Sequence, residues 1–199
     1  MKRNWYKGPD CAYFITDTVC DWKNVFVSQP FIQIVIDSWR HFQEVRNITF
    51  YGFVLMPSHL HYIVQPQKPE YGIVEMQRDF KKYTAKLIIK ELQNEADMGE
   101  APLIGVFKKI GIKRERISIL LETFERIGRY ANQNFKVWLP EDKPEAILSQ
   151  KFLKEKLNYI HYNPVKVKIV NEPEAYPFSS AKNYYSGDDS VFKITRFNI

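Results

Sequence analysis

His59-Leu60-His61 sets two imidazoles two residues apart. In an extended chain, side chains at i and i+2 leave the same face, so on a strand both rings project together. Paired neutral imidazoles on one rigid strand can ligate a divalent ion. The chain also carries 12 tyrosines. A tyrosine hydroxyl can attack phosphorus when a cation polarises the phosphate, but spacing alone singles out none of the twelve. A third set is basic. Arg78, Lys81, Lys82, Lys86 and Lys90 share one side of the segment 71–93, and Lys113, Arg114, Arg116, Arg126 and Arg129 follow. Cations interleaved with aromatic rings suit a phosphate backbone with stacked bases. A solvated helix face is the plainer reading of the same pattern.

Other chemistries lack their signatures. There is no glycine-rich phosphate loop, no dinucleotide fingerprint, no nucleophile elbow and no His-Glu-x-x-His. The two cysteines, Cys11 and Cys20, have neither the number for a disulfide framework nor the spacing of a metal knuckle. They read as reduced thiols. No apolar run approaches the roughly 18 residues that cross a bilayer, and the start of the chain lacks the apolar stretch of a signal peptide. The expectation is a cytoplasmic protein with no membrane partner. A net charge of +6 favours a polyanionic partner without requiring one.

These residues need elements to position them. Residues 11–17, continuing through Thr18 and Val19, are rich in β-branched and aromatic types and read as a strand. Phe31, Ile34, Val35, Trp39, Phe42 and Val45 recur at helical spacing, so 31–46 is predicted helical. Residues 48–56 and 59–65 read as two strands joined by Pro57-Ser58, which makes an antiparallel hairpin. Ile73, Met76, Phe80, Tyr83 and Leu87 predict a helix over 71–93, followed by an irregular stretch to about 111. Residues 113–128 read as helical and 135–139 as a fourth strand ended by Pro140. The order is the ferredoxin-like βαββαβ arrangement, an α+β fold with a four-stranded antiparallel sheet and both helices on one face. On the strand over 59–65, Leu60, Tyr62 and Val64 are expected to face those helices. His59 and His61 would then look out on an open face. A helix over 150–162, stopped at Asn163-Pro164, and an irregular tail with a possible terminal strand at 191–197 form a C-terminal helical extension. We expect one domain over 1–199, with a core of about 11–140 and an extension of about 145–199.

Several blocks resemble a known family. Tyr51-Gly52-Phe53-Val54-Leu55-Met56-Pro57-Ser58-His59-Leu60-His61-Tyr62 resembles the signature hairpin of the HUH single-tyrosine transposases, with Ser58 where Asn is usual. Asp79–Ala85, Val137-Trp138, Leu157–Val165 and Glu172–Ala181 resemble later blocks, in order. The likeness is greatest to REP-associated tyrosine transposases and to insertion-sequence enzymes that move single-stranded DNA. The ferredoxin-like order is also that family's fold.

The resemblance implies metal-dependent cleavage and strand transfer of single-stranded DNA, often beside a small hairpin. His59 and His61 match the ligands of Mg²⁺ or Mn²⁺, and a tyrosine would form a covalent 5′-phosphotyrosine. In REP-associated relatives that tyrosine follows the tryptophan, but Trp138 is followed by Leu139, Pro140, Glu141 and Asp142. Tyr130 is the nearest candidate, Gln133 or Asn134 the candidate third ligand, and Glu141 with Asp142 a weaker one. Arg78, Lys81, Lys82 and Lys86 would contact DNA. Asn163, Ser179 and Ser180 read as structural. Monomer and homodimer both fit. Two alternatives stay open. One is a DNA-hairpin-binding module that keeps the scaffold without the tyrosine chemistry. The other is a metal-dependent hydrolase of a small phosphoester.

Overall fold

The structure, a computed structural model, describes residues 11–113, 115–140 and 143–197. Arg114, Glu141 and Asp142 lie outside them. The elements run β1 (Ala12–Thr18), α1 (Gln29–Arg46), β2 (Ile48–Leu55), β3 (His59–Pro66), α2 (Ile73–Met98), α3 (Gly105–Lys109), α4 (Ile117–Tyr130), β4 (Glu145–Ile147), α5 (Gln150–Lys166) and α6 (Ala181–Tyr185). The sheet order is β2-β3-β1-β4, with every neighbouring pair antiparallel. This is the expected α+β arrangement.

Local chemistry sets the boundaries. Pro30 lies in the first turn of α1, where its missing N–H costs nothing. Asn47, left-handed at φ 53°, ends that helix and its N–H bonds Phe42 O. The β2–β3 turn is closed by Met56 N–H on His59 O at 2.8 Å. One face of the hairpin packs on α1 and α2. There Trp39, fully buried, meets Phe50, Phe53, Tyr62 and Phe80 at ring separations of 5.4–6.4 Å.

Five expectations are corrected. The fourth strand is Glu145–Ile147, which pairs with Ala12, Tyr13 and Phe14. Residues 135–139 instead follow the far end of β1, through a single bridge between Val19 and Trp138 and the bonds Cys20 N–H to Val137 O and Leu139 N–H to Thr18 O. Pro140 has no N–H with which to extend that pairing. The Trp138 indole donates to Thr84 Oγ1 at 3.0 Å, tying the segment to α2.

The stretch expected to be irregular is in large part helix, since α2 runs to Met98 and α3 follows. Helix α5 runs through Asn163 and Pro164 to Lys166. Pro164 sits in its last turn, buried, so the N–H it lacks removes only one bond near the helix end. Residues 191–197 form no strand among the described residues. Phe192 enters the core and Thr195 N–H bonds Phe50 O.

The fifth correction matters most. The second sheet face is not open, because α5 lies across β2, β3 and β4. Gly52 marks how close it comes: a Cβ there would lie 2.7 Å from Leu157 Cδ2.

Candidate functional site

The β1–β3 register sets Thr16 opposite His61 and Thr18 opposite His59. These residues share the sheet face that α5 covers, while Asp17, Leu60 and Tyr62 point to α1 and α2. His61 is 5% exposed. Its Nδ1 is 2.9 Å from Thr16 Oγ1, and its ring stacks on Phe14 at 5.5 Å. His59 Nδ1 lies 3.2 Å from Ser58 Oγ, and the His59 ring meets the edge of Trp22 at 5.3 Å. The two imidazole centroids are 4.9 Å apart. Burial lowers His59 to a pKa of about 4. Burial, with the His59 and Lys156 charges, lowers His61 to about 3. Both rings are therefore neutral at pH 7, the state that a metal ligand requires. With its proton on Nδ1, the His61 ring donates to Thr16 Oγ1 and keeps the Nε2 lone pair.

Helix α5 brings a tyrosine to that lone pair. Ser149 caps the helix by accepting from Phe152 N–H at 3.2 Å. Leu153, Leu157 and Ile160 are its buried stripe. Tyr159 emerges beside them with its hydroxyl 3.4 Å from His61 Nε2. The Tyr159 ring stands edge-on to His61 at 5.0 Å and to Phe14 at 5.9 Å. It is 39% exposed, so the hydroxyl is oriented without being sealed from substrate. Lys166 Nζ lies 5.1 Å from its ring centroid.

Lys156, one turn earlier, holds its ammonium 4.1 Å from the Phe14 ring centroid and pairs with Glu145 at 2.8 Å. Asn163, four residues after Tyr159, shares its helix face and is buried. It lies within the helix rather than capping it. His161 turns the other way and hydrogen-bonds Ser180 Oγ at 3.0 Å. Ser180 Oγ also accepts from Phe53 N–H. The helix is thereby locked to β2.

The sequence-predicted residues separate into two places. His59 and His61 sit together with Tyr159, which the sequence reading had passed over as a nucleophile. The signal was a tyrosine and an asparagine four apart on one helix, near its buried stripe. Tyr130 ends α4, is 84% exposed, and makes no hydrogen bond or ring contact with either histidine. Gln133 lies in a different place, a groove of about 1170 Å³ between α2 and residues 132–140 that Asn134 also lines.

No group of three His, Cys, Asp or Glu that could hold a metal occurs among the described residues. The donors at the histidine pair are two neutral imidazoles, with the Tyr159 hydroxyl on the facing helix. Such a set fits a divalent ion that takes its remaining ligands from substrate oxygens and water. It suits Mn²⁺ better than Mg²⁺, which prefers oxygen throughout.

The groove that Gln133 lines collects Arg78, Lys82, Lys86, Lys90 and Lys136, and no carboxylate among the described residues lines it. Lys81 borders it too, but its ammonium points inward. It pairs with Asp17 at 3.2 Å and donates to Leu139 O at 3.2 Å. Asp17, fully buried, also accepts from Tyr62 at 2.6 Å and Gln77 at 2.8 Å. Lys81 is a structural cation whose charge the carboxylate already neutralises. No helix among the described residues is long and apolar enough to cross a membrane.

No protein-family model matches the chain, and no curated protein matches it. Among solved structures, the chain is similar to a REP-associated tyrosine transposase bound to a REP hairpin. The likeness has a TM-score of 0.55 at 18% identity and covers 100% of this chain and 94% of that one. The end-to-end overlap takes in α5 as well as the sheet, so the chain shares that transposase's fold over its whole length.

Proposed function

We propose that this protein cleaves and rejoins single-stranded DNA through a covalent phosphotyrosine, with Tyr159 as nucleophile. One observation carries the reading: the Tyr159 hydroxyl lies 3.4 Å from Nε2 of a buried, neutral histidine that is paired with a second. The fold likeness to a transposase solved with a DNA hairpin supports it.

His59 and His61 would hold a divalent cation through ring nitrogens. Such an ion, when bound, supplies charge that offsets the phosphate and the departing oxygen. Thr16 fixes the His61 ring, and the Phe14 stack limits its rotation. Tyr159 Oη forms a bond to phosphorus as the bond from phosphorus to the 3′ oxygen breaks. The tyrosine proton leaves to water at the exposed side of the ring. The 3′ oxygen takes up a proton, which gives a free 3′-OH and a 5′-phosphotyrosine. A later 3′-OH reverses the step on the same phosphorus, so no outside energy source is needed. Lys82, Lys86, Lys90 and Lys136 line a track for the rest of the strand.

The test is a denaturant-resistant band shift with end-labelled hairpin-bearing single-stranded DNA and Mn²⁺. Wild type and Tyr130→Phe should form an adduct. Tyr159→Phe and His61→Ala should lose it by at least about 10²-fold. An adduct that persists in Tyr159→Phe removes Tyr159 from the reading. Tight, salt-sensitive hairpin binding with no adduct in wild type leaves the binding-module alternative.

A further inference from the structure

We infer that Trp22 is a stacking platform for a nucleobase next to the reacting phosphate. The inference rests on the function proposed above and adds to it a residue that reads the strand beside the histidine pair.

Trp22 is 60% exposed, yet its backbone is held in an unfavourable conformation. Asp21 and Trp22 both have φ 53°, in the left-handed region that side-chain-bearing residues rarely adopt. An aspartate tolerates that region, but a tryptophan does not. Strain of this kind persists only where the surroundings impose it. Here they do. Val19 N–H bonds Ser58 O at 2.9 Å, and Cys20 N–H bonds Val137 O at 2.7 Å. Trp22 N–H closes back on Val19 O at 3.0 Å. Arg126 grips the Asp21 carboxylate at 3.0 Å. Ser58 precedes His59, so the turn that carries the indole is bonded to the turn that carries the histidine. The result is an indole whose ring centre lies 5.3 Å from that of His59, the two rings inclined at 68°, with much of the Trp22 surface left to solvent.

Burial does not account for this strain, because the indole is mostly exposed. A protein-docking patch would continue the apolar surface around it. Instead the neighbours are charged: Arg126, and Lys23 paired with Glu115 at 3.5 Å. One exposed ring flanked by these closed ion pairs, beside a site for a phosphate, suits a base on a phosphate chain. Stacking is indifferent to base identity, so Trp22 would secure the strand at the reacting centre without choosing its sequence.

The experiment uses the full chain and two hairpin-bearing single-stranded DNAs of equal length, one with a thymidine flank and one with an abasic flank. Affinity and tryptophan emission are followed for wild type, Trp22→Ala and Trp22→Phe. Trp22→Ala should weaken thymidine binding by roughly 5- to 150-fold, the range for loss of one stacked base. It should leave abasic binding unchanged. Trp22→Phe should recover most of the affinity while losing most of the emission quench. Three results overturn the inference: unchanged thymidine binding in Trp22→Ala, equal weakening toward both DNAs, or a Trp22→Phe variant as weak as Trp22→Ala. A wild type that binds neither DNA overturns the functional reading itself, and the inference with it. That outcome is distinct because it is read from wild type alone.

Discussion

Thr16 and Lys81 show how a neighbour decides what a functional group can do. Thr16 Oγ1 is the partner of His61 Nδ1 and so holds the ring in its orientation. Thr16→Val keeps the shape and removes the hydroxyl. Loss of such an orienting partner typically costs 10- to 100-fold in metal affinity or activity. We expect Mn²⁺-dependent adduct formation to fall by about that factor, with a urea midpoint shifted by no more than about 1 kcal/mol of stability. A fall in stability large enough to explain the lost activity would make Thr16 merely structural.

Lys81 makes the opposite point. By sequence it is one of a row of surface cations, but its charge is committed to the buried Asp17. Lys81→Met strands that carboxylate with two neutral donors, and we expect a loss of about 3 kcal/mol in urea unfolding. The side-chain pattern along α2 could not reveal this, because the partner lies on a strand 64 positions earlier.

Elements were legible where periodicity alone decides them. The β2–β3 hairpin, α1 and the start of α2 follow from alternation and helical spacing. The fourth strand did not, because Glu145–Ile147 is three residues long and is made by pairing with β1, not by composition. Residues 135–139 have the better strand composition and make only a bridge. The candidate site was half legible for the same reason. Two residues apart on a strand is a local fact, so His59 and His61 could be paired from sequence. Tyr159 reaches them only because α5 lies on the sheet face that had been read as open.

That packing yields the prediction at this scale. Gly52 is where α5 presses on β2, and a methyl there meets Leu157 Cδ2 at 2.7 Å. Gly52→Ala should cost about 1–3 kcal/mol, the usual range for overpacking. Leu157 lies two residues before Tyr159, so helix displacement should lower adduct formation as well. Adding Leu157→Ala clears the space, and the pair should be less destabilised than the sum of the single changes. Strict additivity by urea unfolding would mean that the contact does not hold the helix.

At the scale of the whole molecule, the charge balance acquires a location. A net charge of +6 is a weak statement about partners. The groove between α2 and residues 132–140 is a stronger one, since its lining includes basic side chains and, among the described residues, no carboxylate. Lys82, Lys86, Lys90 and Lys136 have no ion pair with a described residue, whereas Arg78 is partly neutralised by Asp79 at 3.1 Å. Each cation that displaces counterions from single-stranded DNA contributes about −0.7 to the slope of log affinity against log salt. Four such lysines predict a slope near −3 for a strand lying in the groove. Lys86→Gln and Lys90→Gln should each make it shallower by about 0.7. Lys81→Met should leave the slope unchanged while it lowers stability, because that ammonium has no free charge to offer DNA. A slope near zero in wild type would exclude the groove as the strand's path. A slope that changes with Lys81 as it does with Lys86 would mean that the Asp17 pair opens when DNA binds.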